Sequence, residues 1–349
     1  LTAILQKRVL NVVQYLVLLG FGLVLLWLSF RNLDMNLVWQ DIREARYVWL
    51  ILSLFVALIS HYFRALRWNL LINSMGYQTH TAHTFFAVMV GYMANTAVPR
   101  MGEFMRCGVL SRKENIPFNA LFGTVISERL FDLVVLVLII LAVIIFQFTL
   151  LENMLHDMVV DLAGRSESGL LYPAFFLIAL IVLFVGALWF VKYKKAYLHQ
   201  FAAYRKLSGF IHGLLDGIKT IVRLKQKGLF LVYTFFIWAA YIGMVYLPFY
   251  MFPDTIHLTI LDALTLMSIG SLGIVAPVPG GIGTYHFIVK AVLFELYHIN
   301  PITAGSFAAI THAGQTFINV TTGALGYFYL TLLTKQQKPT HEKIRTHRP

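Results

Sequence analysis

Arg100, Glu103 and Arg106 fall within one short stretch, residues 95–106, that directly follows an apolar run and contains Pro99 and Gly102. Further along, Thr124, Glu128 and Asp132 stand at four-residue steps, which puts them on one helical face, with Arg129 about 100° away. Guanidiniums and carboxylates in this density serve three kinds of chemistry. A guanidinium left free takes a phosphate, because its planar fork suits two oxygen contacts. Carboxylates such as Glu128 and Asp132 hold a cation or an aminated headgroup. A buried carboxylate carries a coupling proton, as in many transporters. With Lys290 and Glu295 added, the bases Arg100, Arg106, Arg129 and Lys290 stand against the acids Glu103, Glu128, Asp132 and Glu295. Such a group can also neutralise itself, with Glu103–Arg106 and Arg129–Asp132 as simple ion pairs at helical spacing.

A second polar stretch, residues 276–286, clusters Pro277, Pro279, Gly280, Gly281 and Gly283 ahead of His286. Gly281 and Gly283 let backbone amides come close to a ligand, and Thr284 suits the N-cap of a following helix. His312, Gln315 and Asn319 then recur at helical spacing. The candidate substrate-binding set is Asn95, Arg100, Glu103, Arg106, Glu128, Arg129, Asp132, Gly280, Gly281, Gly283, His286, His312 and Gln315.

The elements that must position these groups are set by composition. Of the 349 residues, 58% are hydrophobic and 13% charged, with a mean hydropathy of +0.72. The runs 9–30, 48–66, 133–148, 170–191, 230–252 and 307–333 are long enough, or nearly so, to cross roughly 30 Å of hydrocarbon. Ionisable groups at that depth cost several kcal/mol unless they pair or face a wet cavity, which makes 95–106 a functional candidate. Run 9–30 is too long for a signal-peptide core. The single cysteine, Cys107, excludes an intrachain disulfide and is expected to pack. The net charge of +12 resides mainly in loops between apolar runs, where retention of positive loops in the cytoplasm explains it better than nucleic acid does.

By that rule Lys7 and Arg8, Arg112 and Lys113, residues 192–227 and the basic tail 336–349 are cytoplasmic, as are both termini. The acidic segments 150–169 and 253–262, and the mixed segment 31–46, face outward. Residues 84–111 then form a re-entrant hairpin from the cytoplasm, since Pro99 interrupts an apolar stretch too short to cross twice. Its returning arm points a positive end toward the bilayer centre. Residues 258–299 form a second hairpin, entering from outside. The predicted fold is an all-α polytopic membrane protein of about six transmembrane helices and two re-entrant hairpins. Halves 1–150 and 170–335 repeat the order span, span, hairpin, span, and an odd number of crossings inverts the second copy. Between them, 193–227 reads as an amphipathic connector drawn to anionic inner-leaflet lipid, or packed on neighbouring protein. A shorter amphipathic segment at 151–162 lies outside.

Several motifs together resemble one family: Arg64-Ala-Leu-Arg67-Trp68, Asn95 with Pro99-Arg100-Met-Gly102-Glu103 and Arg106, Glu128-Arg129-Leu-Phe-Asp132, and Pro279-Gly280-Gly281-Ile-Gly283. They are similar to the lysylphosphatidylglycerol synthetase transmembrane, flippase-like family. That resemblance implies a membrane unit associated with moving lipids or lipid-linked molecules. The soluble aminoacyl-transferase domain is not expected here, because the sequence ends soon after its last apolar run. His286 departs from the glutamate usual in the family's proline–glycine motif; the plainer reading is a swap that preserves a hydrogen bond.

The leading expectation is a transporter in the bacterial cytoplasmic membrane that exposes a midplane site, and a phosphate-bearing lipid or lipid-linked cargo, alternately to each side. The alternative is a membrane-embedded lipid phosphotransferase or hydrolase with Glu128 or Asp132 as general base. No serine or cysteine nucleophile with a positioned base supports that alternative. No metal or cofactor is expected: His80 and His83 have ligand spacing, but no nearby acid or cysteine completes a site. Partners are membrane lipids, with no nucleic acid. Arg64 and Arg67 are expected to snorkel to headgroups, and Trp27, Trp39, Trp49, Trp68, Trp189 and Trp238 to lie near the interfaces.

Overall fold

The computed structural model describes residues 2–148, 224–274 and 278–334, among which every regular element is helical. Helix α1 (Thr2–Phe30) breaks at 31–34 into α2 (Met35–Glu44). The segments Tyr15–Phe30 and Met35–Glu44 meet at 87°. The mixed-charge segment 31–46, expected on the outer side, is helical over most of its length. Its start is held by Asp34, whose Oδ1 accepts from the Asn36 amide at 2.8 Å and satisfies one unpaired N–H of the first turn.

Next come α3 (Tyr47–Ser74), α4 (Thr81–Ala97), α5 (Gly102–Glu114) and α6 (Phe118–Phe146). Helix α5 ends at Asn115, which adopts the left-handed conformation that closes many helices (φ 55°). Helix α7 (Lys227–Tyr246) continues through a 3-10 segment, Leu247–Met251. Helix α8 (Ile260–Ile274) precedes a 3-10 turn (Pro279–Gly281), α9 (Thr284–Ala291), and a π turn (Val292–Leu296). The last, α10 (Pro301–Thr334), opens with proline at its first position and Asn300 Oδ1 accepting from the Ile302 amide at 2.9 Å.

Among the described residues, three helical segments are long and apolar enough to cross a membrane: Tyr47–Ser74, Phe118–Phe146 and Lys227–Met251. The bent α1–α2 pair makes a fourth if counted as one span. Of the six expected spans, 170–191 lies outside the described residues, as do most of the connector 193–227, the segment 151–162, the tail 336–349 and the proposed boundary between halves. Helix α10 is long enough to cross, but its threonines, glycines and amides dilute its apolarity.

Helix breaks fall within both segments expected as hairpins, between α4 and α5 and between α8 and α9. In the first, α4 packs against α5, and a Cβ at Gly102 would overlap the Gly91 carbonyl and the Asn95 amide. Small residues permit that close crossing. Helix α10 runs along α4 and also touches α2, α3 and α9, which ties the two hairpins into one body. Trp68, Cys107, Leu110 and Leu121 fill the space between α3, α5 and α6, so Cys107 does pack. Phe249, Met251, Phe252 and Phe307 build a second core with Leu293 and Leu296.

Candidate functional site

The four-residue steps on α6 turn Thr124, Glu128 and Asp132 inward, at 7%, 0% and 9% exposure. Opposite them stand Arg64 and Arg67 of α3, one turn apart and buried. Arg64 donates to Glu128 Oε1 at 3.2 Å, to Asp132 Oδ2 at 3.4 Å and to the Tyr241 hydroxyl at 2.6 Å. Arg67 donates from Nη2 to Asp132 Oδ2 at 2.9 Å, and its Nη1 lies 2.7 Å from Oδ1 as an ion pair. It also donates to Glu128 Oε1 at 3.1 Å and to Thr234 Oγ1 at 3.1 Å. Arg106, from the hairpin arm α5, donates through Nη2 to Glu128 Oε2 at 3.2 Å. Its guanidinium lies 4.7 Å over the Trp68 ring, whose Nε1 donates to Thr124 Oγ1 at 2.8 Å.

This corrects two expectations. Arg64 and Arg67 do not snorkel: two inward carboxylates on α6 need cationic partners, because an unpaired buried charge costs several kcal/mol. Trp68 is not an interfacial residue but a fully buried support for Arg106. The signal for both was present, since Arg64, Arg67 and Trp68 share a helical face and form one of the motifs behind the family resemblance. What sequence reasoning missed outright is Tyr241 and Thr234 of α7, ordinary residues on an apolar helix.

Glu103 and Arg129 form an outer pair, Nε to Oε1 at 3.2 Å, with side chains 25% and 40% exposed. The ion pairs therefore run between α5 and α6, in place of Glu103–Arg106 and Arg129–Asp132 within single helices. Asn95 caps α5, its Oδ1 accepting from the Gly102 amide at 2.7 Å. Arg100 sits exposed at the hairpin tip with φ 63°, a conformation uncommon outside glycine. Lys290 and Glu295 do not join the cluster: Lys290 donates to the Ser29 carbonyl at 2.5 Å, and Glu295 is exposed. At the base of the hairpin an acid does stand beside the two histidines. Glu114 Oε1 lies 2.5 Å from His83 Nδ1 and accepts from the His80 amide at 3.3 Å, tying the end of α5 to the start of α4.

The second hairpin tip meets the first. Gly280 (φ 60°) lies against the Thr96 backbone, so that a Cβ there would come within 3.3 Å of the Thr96 carbonyl. Gly283 (φ 83°) presses on α1, where a Cβ would overlap the Gly22 carbonyl, and so serves packing. Gly281 is the more open of the three. Gly283, not Thr284, holds the N-cap position; Thr284 donates to the Gly281 carbonyl at 3.0 Å. His286 Nδ1 accepts from the Gly283 amide at 3.3 Å, the bond a glutamate makes at this third position of a helix. His312 Nε2 donates to the Gly280 carbonyl at 2.9 Å, and its ring lies 4.7 Å from that of His286. Gln315 follows on α10, half-buried. Where α1 bends, an open apolar groove of about 460 Å³ is lined by Leu23, Leu26, Trp27, Phe30 and Met35, with His286 as a polar wall.

A family model described as the lysylphosphatidylglycerol synthase TM region matches residues 12–323. A UPF0104 membrane protein of Methanocaldococcus jannaschii is 28% identical over 120 residues, 34% of this chain and 35% of that protein. That alignment therefore spans about a third of the relative's length. No solved structure matches the chain. The family match runs from α1 into α10 and takes in the charge cluster and both hairpins, so the chain belongs to the lysylphosphatidylglycerol synthase transmembrane-region family.

Proposed function

We propose that this membrane protein moves a lipid or lipid-linked molecule across the bilayer, exposing a site between its two hairpin tips first to one side and then to the other. The observation that carries this reading is the meeting of two broken-helix tips, Thr96 against Gly280, beside a sealed ion cluster. Irregular backbone at membrane depth is tolerated where protein or a wet cavity covers it, and paired broken helices surround the substrate in many transporters. The apolar groove at the α1 bend gives a hydrocarbon tail a place beside the polar tips. Catalysis finds less support. Both oxygens of Glu128 and of Asp132 are engaged by guanidiniums, which leaves neither carboxylate poised to take a substrate proton. We read the protein as lying in the cytoplasmic membrane with both termini inside, an orientation supported by the excess of positive charge in the loops assigned to the cytoplasm.

The test is purified protein in liposomes carrying headgroup-labelled lipids. Label reaching the opposite leaflet, chemically unchanged and only when protein is present, is the expected result. A lipid modified in a protein-dependent way, detected by mass spectrometry without leaflet transfer, overturns it in favour of an enzyme.

A further inference from the structure

The buried cluster does not balance. Among the described residues, Arg64, Arg67 and Arg106 supply three positive charges against two carboxylates, Glu128 and Asp132. The neighbouring Glu103–Arg129 pair is neutral and leaves the surplus unchanged. The hydrogen bonds show where the surplus lies. Arg64 and Arg67 each use both terminal nitrogens and leave only Nε unpartnered, whereas Arg106 engages only Nη2, and both its Nη1 and its Nε are buried without a hydrogen-bond partner among the described residues. A charged donor left unpaired in a buried site is costly, so Arg106, 2% exposed, is the member least satisfied by the protein itself.

Arg106 also borders a cleft between α4, α5 and α6 that it shares with Tyr92, Asn95, Glu103 and Arg129. The cleft holds about 10 Å³, close to the room one water needs, so a headgroup enters only if a wall moves. The wall free to move is the half-exposed Glu103–Arg129 pair, which is the least costly of these ion pairs to open.

We propose that this cleft is an anion site for a phosphate group, with Arg106 and Arg129 as its cations and Glu103 as a built-in anion that the phosphate displaces. The proposal rests on the translocation reading above and gives its cargo a chemical class. An ammonium group fails in the same place, because it would add to an existing positive surplus and meet only Glu103. A phosphate neutralises the surplus, takes the free donors of Arg106 and accepts from the guanidinium of Arg129 once its pairing with Glu103 is broken.

The experiment uses the full chain in a maltoside detergent, which carries no phosphate, and reads binding by native mass spectrometry and thermal shift. Three probes separate the sources: phosphatidylglycerol, soluble glycerol phosphate, and diacylglycerol. Phosphatidylglycerol binding well above diacylglycerol supports the site and a lipid source; glycerol phosphate binding as well as the lipid supports the site and a soluble source. Equal binding of phosphatidylglycerol and diacylglycerol overturns it. E103Q is expected to tighten the phosphate probe by about tenfold, and R129Q or R106Q to weaken it by at least as much. R106Q should also fold normally, since it brings the buried cluster to charge balance. If R106Q does not fold, E103Q and R129Q still decide: no change in either sinks the anion site. Leaflet transfer that persists while these variants change nothing leaves translocation standing without the site. Phosphate-selective binding without leaflet transfer leaves the site and removes translocation.

Discussion

At the scale of single residues, the hub is Glu128, whose two oxygens accept from Arg64, Arg67 and Arg106. E128Q leaves three guanidiniums facing one carboxylate and should cost roughly 3–5 kcal/mol of stability, read as a lower thermal unfolding midpoint in detergent. Adding R106Q to E128Q should recover part of that loss, because the two residues share one network; strict additivity would show that they do not. His286 poses a smaller question of the same kind. If it serves as a helix cap, H286A loses roughly 0.5–2 kcal/mol and H286Q restores most of it, since either side chain can accept from the Gly283 amide. Arg100 separates backbone from charge. Its φ of 63° favours glycine, so R100G should fold at least as stably, while R100A keeps the strain and loses the guanidinium. Equal loss of leaflet transfer in both assigns the role to the side chain; full transfer in both removes Arg100 from the site.

At the scale of elements, the first hairpin depends on how closely its arms approach. Gly102 is pressed between the Gly91 carbonyl and the Asn95 amide, whereas Gly108, one and a half turns along the same arm, has open space where its Cβ would be. The two glycines make a matched pair. G102A should destabilise the fold by roughly 1–3 kcal/mol through overpacking, and G108A should be neutral or stabilise it by about 0.5–1 kcal/mol by removing helix-interior glycine. Similar unfolding midpoints for the two variants would show that the arms are not packed this tightly. The same close crossing explains Asn95: with no room for an inserted side chain, its amide becomes the cap of α5.

At the scale of the whole molecule, the question is orientation. With Cys107 buried, single cysteines can be placed at exposed Asn115, beyond the end of α5, and at exposed His257, between α7 and α8. Impermeant thiol reagents should reach N115C from the cytoplasmic side and H257C from the other; labelling from one side for both would sink the topology. Apolar run lengths alone were enough to locate α3, α6 and α7 as helices long and apolar enough to cross, and the proline–glycine clusters marked where α4 gives way to α5 and α8 to α9, because proline cannot continue a helix's hydrogen bonding. The four-residue steps on α6 likewise determined that Glu128 and Asp132 share a face. Spacing along a helix says which face a side chain occupies but not which helix lies opposite. Only the tertiary packing of α3 and α5 on α6 therefore decided that Arg64 and Arg67, 61 to 68 residues away from their acids, belong in the core. The same packing left Lys290 and Glu295 outside the cluster, and brought Thr96 to Gly280, two tips that no local rule connects.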